Sequence, residues 1–154
     1  MELYLEGERH LVTLSEITHP VHCMVHAEFE NGYENIFFAD VETGDWVEQD
    51  LGFTRLASMI GDHLQNSYTG YHIARKELVW HHGFCNDQLI EFGYHRELTA
   101  GYPVYEIFAT NRRYMFTLVK LKNDQWQLFK IPGCGWDYKE SYIHEIPFIL
   151  GACQ

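Results

Sequence analysis

Alternation of apolar and polar residues over short segments is the feature that most constrains this chain. In the segment VHCMVHAEFENGYENIFFAD, residues 21–40, every second position from Val21 to Phe29 is apolar, and the dipeptide Asn31-Gly32 follows. A period of two is typical of a β-strand with one buried face, and Asn-Gly between two such runs is a strong hairpin signal. The segment therefore predicts two antiparallel strands joined near residue 31.

One stretch has the spacing of a helix instead. In LGFTRLASMIGDHLQNS, residues 51–67, the apolar side chains recur every three or four positions: Phe53, Leu56, Ala57, Ile60 and Leu64. Thr54 is a suitable N-cap, and Gly61 weakens a helix interior without excluding the helix. This pattern predicts one amphipathic helix over about residues 53–66.

Strand patterns resume beyond the helix. Five short segments are rich in aromatic and β-branched residues and are separated by turn-like connections: residues 73–80, 88–98, 103–110, 112–122 and 125–131. Such spacing is typical of an antiparallel meander. The tail after residue 131 contains two prolines and several glycines, so we expect it to be mostly irregular, with one helical turn at most. The predicted fold class is α+β: a curled antiparallel sheet, or meander, with one main amphipathic helix packed against it.

Length and composition are those of a small soluble protein. A chain of 154 residues fits a single domain over 1–154, with sub-lobes 1–66 and 67–154 as the alternative. No apolar run approaches the roughly 20 residues that span a bilayer, and the first residues do not resemble a secretory signal. Its four cysteines have no repeated spacing, so we expect reduced thiols and a cytoplasmic location.

The net charge of the chain limits the kinds of partner that it is expected to bind. The chain has 22 acidic and 11 basic residues, a formal net charge of -11. An acidic surface repels phosphate groups, so we expect neither a nucleic acid nor an anionic membrane as partner. A protein partner with a basic surface, or a small ligand, is expected instead. The sequence leaves the oligomeric state open between a monomer and a homodimer.

The stretch HPVHCMVH, residues 19–26, contains three histidines and a cysteine. In a strand, where each residue rises about 3.3 Å, His22 and His26 share a face but lie roughly 13 Å apart. Zinc ligands lie about 2 Å from one centre, so these two imidazoles cannot bind the same ion. His19 precedes Pro20 and can point elsewhere. We therefore do not predict a metal site from this stretch alone.

Two other groups of residues are chemically suited to a site. His82, Cys85 and Asp87 lie in WHHGFCND, where a turn after a strand would let three metal-ligating side chains converge. Their spacing matches no known metal motif, and zinc would need ligands from elsewhere. Cys134 lies between two glycines, and His144 follows as a candidate base for its thiol. No residue is identified that would orient His144.

Two functional classes follow from these features. We expect a non-enzymatic protein- or ligand-binding module without a cofactor, because ten tyrosines and four tryptophans supply the contact area that interfaces favour. An inhibitor or immunity-type protein for a basic toxin or nuclease is one form of it. The alternative is a small hydrolase-type enzyme. It would use His82, Cys85 and Asp87 to hold zinc or another transition metal, or Cys134 and His144 as a catalytic pair.

Overall fold

The computed structural model describes residues 1–67, 75–131 and 139–152. The chain divides into two compact units, Met1–Lys76 (unit 1) and Glu77–Gln154 (unit 2). Antiparallel sheets and helices occur in the described residues, which confirms the predicted α+β class. The expectation of a single domain stays a prediction, and each unit is described by itself.

Unit 1 is a five-stranded antiparallel sheet followed by a helix. Its strands lie in sequential order and are β1 (Glu2–Leu5), β2 (Glu8–Ile17), β3 (Met24–Phe29), β4 (Glu34–Ala39) and β5 (Trp46–Glu48). The predicted hairpin at Asn31-Gly32 is confirmed, since β3 pairs with β4 around it. Gly32 has a φ of 89° there, a backbone conformation that glycine adopts without steric cost.

The predicted helix is confirmed as α1, Arg55–Ser67. The Thr54 hydroxyl accepts a hydrogen bond from the Ala57 N–H at 3.0 Å, so Thr54 acts as the expected N-cap. The apolar side of α1 is buried in one core with residues of β2, β3, β4 and β5. A Cβ at Gly61 would overlap the indole of Trp46, which explains a glycine in the interior of this helix.

Unit 2 has the predicted meander and a second helix. Its strands also lie in sequential order and are β6 (Val79–Cys85), β7 (Gln88–Thr99), β8 (Tyr102–Phe108), β9 (Tyr114–Lys120) and β10 (Trp126–Phe129). A 3₁₀ turn at Lys122–Asp124 joins the last two strands. The first strand begins later than predicted, at Val79, and the predicted positions 73–74 lie outside the described residues.

The expectation of a mostly irregular tail is wrong, because α2 spans Ser141–Ala152. Pro147 lies inside this helix, where a proline removes one backbone hydrogen bond and costs about 3 kcal/mol or more. Ile146 and Leu150 are buried in the same core as Ile90 and Phe92 of β7. Burial of this apolar face offsets the cost of the proline. Neither described helix has the length and apolar character needed to cross a bilayer.

Candidate functional site

The structure separates two of the three ligands predicted in WHHGFCND. His82 is 62% exposed, and its Nδ1 lies 3.8 Å from Glu91 Oε1 on the neighbouring strand. The Cys85 thiol donates a hydrogen bond to Glu145 Oε2 of α2 at 2.8 Å. Both residues belong to β6, where successive side chains alternate between faces, so residues three apart project from opposite faces. The strand does not bring His82 and Cys85 together.

Asp87 lies in the two-residue turn between β6 and β7. Asn86 and Asp87 have φ angles of 50° and 62°, as in the tight turns that match the twist of paired strands. The Asn86 amide donates hydrogen bonds to both oxygens of Glu145, at 3.1 and 3.2 Å. Glu145 therefore ties this turn to α2, and its contacts with Cys85 and Asn86 stabilise the fold.

The contact with Glu145 also affects the pKa of the Cys85 thiol. The hydrogen bond to Glu145 raises the pKa of Cys85, and burial raises it further. The same hydrogen bond, together with the one from Asn86, lowers the pKa of Glu145. The contribution of Glu145 to stability is therefore present above its ordinary pKa and is lost as the pH falls through the lowered value. A thiol held protonated in this way is a poor nucleophile and a poor metal ligand.

The second predicted pair cannot be assembled from the described residues. Cys134 lies outside them, and His144 is exposed on α2. The pairing of Cys134 with His144 therefore stays a prediction.

Two of the three histidines of HPVHCMVH lie side by side, since the rings of His19 and His22 have centroids 5.3 Å apart. His19 Nδ1 accepts hydrogen bonds from the backbone N–H groups of Val21 and His22, at 3.1 and 3.0 Å. His22 is buried, and its Nδ1 donates to the Ala39 carbonyl at 3.2 Å. Only His26 belongs to β3, which begins at Met24. The first two imidazoles therefore shape the entry to the strand, and the third lies on a sheet face.

His26 forms a cluster with two glutamates. Its Nδ1 lies 3.8 Å from Glu28 Oε1, and its Nε2 lies 3.5 Å from Glu34 Oε2. One potential ligand atom from each of the three residues lies within 4.8 Å of the other two. This cluster is not among the site residues predicted from the sequence. Two features indicate it: a His-x-Glu pattern on a strand, and a hairpin whose register puts Glu34 opposite Glu28.

Unit 1 also contains a cleft of about 260 Å³ between the turn before β5 and one side of α1, along which its lining extends from Thr54 to Gln65. Asp45 and Asp62 line it and are exposed, and Phe53 contributes a ring that is 53% exposed. The indole of Trp46 forms part of its wall. The cleft therefore combines two carboxylates with aromatic surface.

Two buried carboxylates shape the walls of this cleft. Asp40 accepts hydrogen bonds from the backbone N–H groups of Glu42 and Thr43, both at 3.3 Å, and fixes the turn that leads to Asp45. Glu48 accepts hydrogen bonds from Thr54, at 2.7 Å, and from Tyr33 and Asn35, the last at 3.2 Å. It thereby anchors the start of α1. These buried acids serve the fold, whereas the carboxylates of Asp45 and Asp62 reach solvent.

The negative charge of the chain is concentrated in the unit that contains the cleft. Unit 1 has 13 acidic and 4 basic residues, a net charge of −9 with histidines neutral. Unit 2 has 9 acidic and 7 basic residues, a net charge of −2. A cation approaching unit 1 is therefore attracted by the whole unit as well as by the two carboxylates of the cleft.

No protein-family model, curated protein or solved structure matches this chain. We therefore infer function from the chemistry of these residues alone.

Proposed function

We propose that the protein is a non-enzymatic binding module for a partner protein with a basic surface, and that the cleft of unit 1 accepts a lysine or arginine side chain of that partner. The observation that carries the proposal is the placement of Asp45 and Asp62 around the exposed ring of Phe53. A guanidinium or ammonium group binds carboxylates by charge-assisted hydrogen bonds and also stacks on aromatic faces. An inhibitor of a basic toxin or nuclease is one protein class that fits this chemistry.

The size of the cleft supports a single side chain as its occupant. Its volume of about 260 Å³ lies just below the range of roughly 300–1,000 Å³ that is usual for small-molecule pockets. A guanidinium of the chain itself approaches the same rim: Arg75 Nε lies 3.3 Å from the position of a Cβ built on Gly44. The absence of a Cβ at Gly44 leaves room for this guanidinium at the rim.

The residues first considered as metal ligands, His82, Cys85 and Asp87, give less support to an enzyme that uses a metal. The thiol of Cys85 donates to Glu145 and its pKa is raised, so the thiolate that catalysis or metal binding requires is disfavoured. The proposed binding at the cleft needs neither a nucleophile nor a cofactor.

The test uses a peptide of six arginines as the probe and a peptide of six citrullines, which has the same shape without charge, as its control. We expect amide resonances at residues 44–46 and 53–65 to shift with the arginine peptide in a two-dimensional NMR titration. The double variant D45N/D62N should weaken binding by about two- to thirtyfold, since each exposed ion pair contributes about 0.2–1 kcal/mol. Added salt should weaken binding as well, because it screens exposed charges.

Glu30→Gln is the matched control for the loss of a charge, because Glu30 is exposed in the turn after β3, in the same unit. We expect its affinity for the peptide to remain within about twofold of the original, as is usual for one exposed charge outside the contact. The single variant D62N removes one charge from the cleft, as E30Q removes one outside it. Equal weakening by E30Q and D62N would show attraction by the net charge alone and would refute a specific cleft.

A further inference from the structure

We infer that His26, Glu28 and Glu34 form a binding site for a divalent transition-metal ion, separate from the cleft. Val25, Ala27 and Phe29 of β3 are buried in the core that includes α1. Because side chains alternate along a strand, His26 and Glu28 project from the opposite face of the sheet. All three side chains reach solvent there, with exposures of 31% for His26, 61% for Glu28 and 64% for Glu34.

The strand register brings two like charges together at this point. Glu28 of β3 is directly opposite Glu34 of β4. Directly opposite residues in an antiparallel pair have Cβ atoms about 4.5–5.5 Å apart, and like charges in such a pair are destabilising. A cation held between the two carboxylates removes that penalty. The pairing of the strands therefore gives a physical reason for a cation to bind at this place.

The imidazole of His26 determines the kind of cation. Mg²⁺ and Ca²⁺ prefer sites built entirely from oxygen, whereas imidazole suits zinc, copper, nickel and iron. One ring nitrogen of His26 and one oxygen from each glutamate provide a mixed nitrogen and oxygen donor set. That set fits Zn²⁺, which binds histidine nitrogen and carboxylate oxygen at similar distances.

The distances between the donor atoms fit such an ion after small rotations of exposed side chains. An ion that binds each donor at about 2.0–2.2 Å in tetrahedral or octahedral geometry separates neighbouring donors by roughly 3–3.5 Å. The separation between His26 Nε2 and Glu34 Oε2 is 3.5 Å, and all three ligand atoms lie within 4.8 Å of one another. Three protein ligands at an exposed face leave the remaining coordination positions to water.

The experiment titrates the chelator-treated full chain with Zn²⁺ and measures affinity and stoichiometry by calorimetry. We expect one ion per chain at this site and a loss of at least about tenfold in affinity in Glu34→Gln. Glu28→Gln provides a second variant with the same expectation. Glu30→Gln removes the same charge from the adjacent turn and should leave the affinity within about twofold. Melting temperatures equal to or slightly above that of the original chain would show that E28Q and E34Q are folded, because each variant removes one of two opposed charges.

A second measurement separates this site from adsorption to other histidines. Substoichiometric Cu²⁺, which is paramagnetic, should broaden the imidazole resonances of His26 before those of His10, which lies on β2 of the same unit. Equal Zn²⁺ affinity in E34Q, E28Q and E30Q would overturn the inference. So would broadening that begins at another histidine, or an original chain that binds no Zn²⁺.

Discussion

The two units share one topology and use it differently. In the described residues each has five antiparallel strands in sequential order, followed by one helix. The helix α1 contacts β5 and β4, the last strands of its sheet, whereas α2 contacts β7 and, through Glu145, Cys85 of β6, the first strands of its own sheet. The order of elements therefore does not fix where the final helix packs. The apolar and polar contacts of each helix determine its position.

Polar anchors differ between the helices. At the start of α1, buried Glu48 accepts a hydrogen bond from Thr54, which caps the helix. In unit 2, Glu145 projects from the first half of α2 and binds the turn between β6 and β7. Glu48 belongs to β5, and Glu145 reaches the β6–β7 turn. Each carboxylate therefore links its helix by hydrogen bonds to the strands beside which the helix lies.

Charge separates the units further. Unit 1 carries −9 of the net charge and unit 2 carries −2. Both proposed sites, the cleft and the His26 cluster, lie in unit 1. Most of the net negative charge of the chain therefore lies in unit 1. Experiments on partner binding should examine the two units separately.

The largest expected effect tests whether the two cores are equally well packed. Phe37 of β4 and Phe92 of β7 are both fully buried. We expect Phe37→Ala and Phe92→Ala each to lower the free energy of unfolding by about 3–5 kcal/mol, because each leaves a cavity and loses apolar burial. Urea unfolding followed by circular dichroism measures the change. Phe129→Ala serves as the control, since that ring is 47% exposed on β10. A cost below about 1 kcal/mol for either core variant would show that its unit lacks a tightly packed core.

A smaller effect compares the glycines of the two helices. Glycine to alanine in a helix ordinarily stabilises by up to about 1 kcal/mol. At Gly61 of α1 the added methyl group would overlap Trp46, whereas a Cβ at Gly151 of α2 would meet no atom within 4 Å among the described residues outside its own helix backbone. We expect Gly61→Ala to destabilise by about 1–3 kcal/mol through overpacking, and Gly151→Ala to be neutral or slightly stabilising. Thermal unfolding of both variants measures this. A stabilising G61A would contradict the close packing of the indole.

The helices, strands and turns that depend only on neighbouring residues could be predicted from the sequence. The hairpin around Asn31-Gly32 depends on a turn dipeptide between alternating strands. The helix expected at 53–66 is observed at Arg55–Ser67 because its apolar spacing and its cap are both local. The meander of unit 2 has its turns at Asn86-Asp87 and Ala100-Gly101, within the segments expected to be turns.

The features that the sequence did not predict depend on contacts between residues that are distant in the chain. The proline in α2 suggests an irregular tail, and the burial of Ile146 and Leu150 that outweighs it depends on a sheet distant in sequence. The partner of Cys85 is Glu145, sixty positions away. For His26 the period of two identifies Glu28 as a neighbour, but Glu34 joins them only through the register of β3 and β4. Patterns within one segment cannot supply such pairings.

The smallest expected effect compares the cysteines of the two units. Burial, followed by the charge of Glu16, raises the pKa of Cys23, whereas the hydrogen bond to Glu145 is the main cause for Cys85. We expect Glu145→Ala to increase the rate at which iodoacetamide alkylates Cys85 at mildly alkaline pH, because the thiolate then forms more readily. The rate at Cys23 should stay unchanged. Peptide mapping by mass spectrometry measures each cysteine separately.

Glu140→Ala is the matched control, because Glu140 is exposed just before α2 and the change removes the same charge from the same region. Its Cys85 should react at the original rate. Faster alkylation of Cys85 in both variants would show that a general loss of negative charge controls the thiol. Faster alkylation of Cys23 as well as Cys85 in E145A would show a loosened fold. Acceleration confined to Cys85 in E145A would establish that a hydrogen bond controls the Cys85 thiol, in contrast to burial at Cys23.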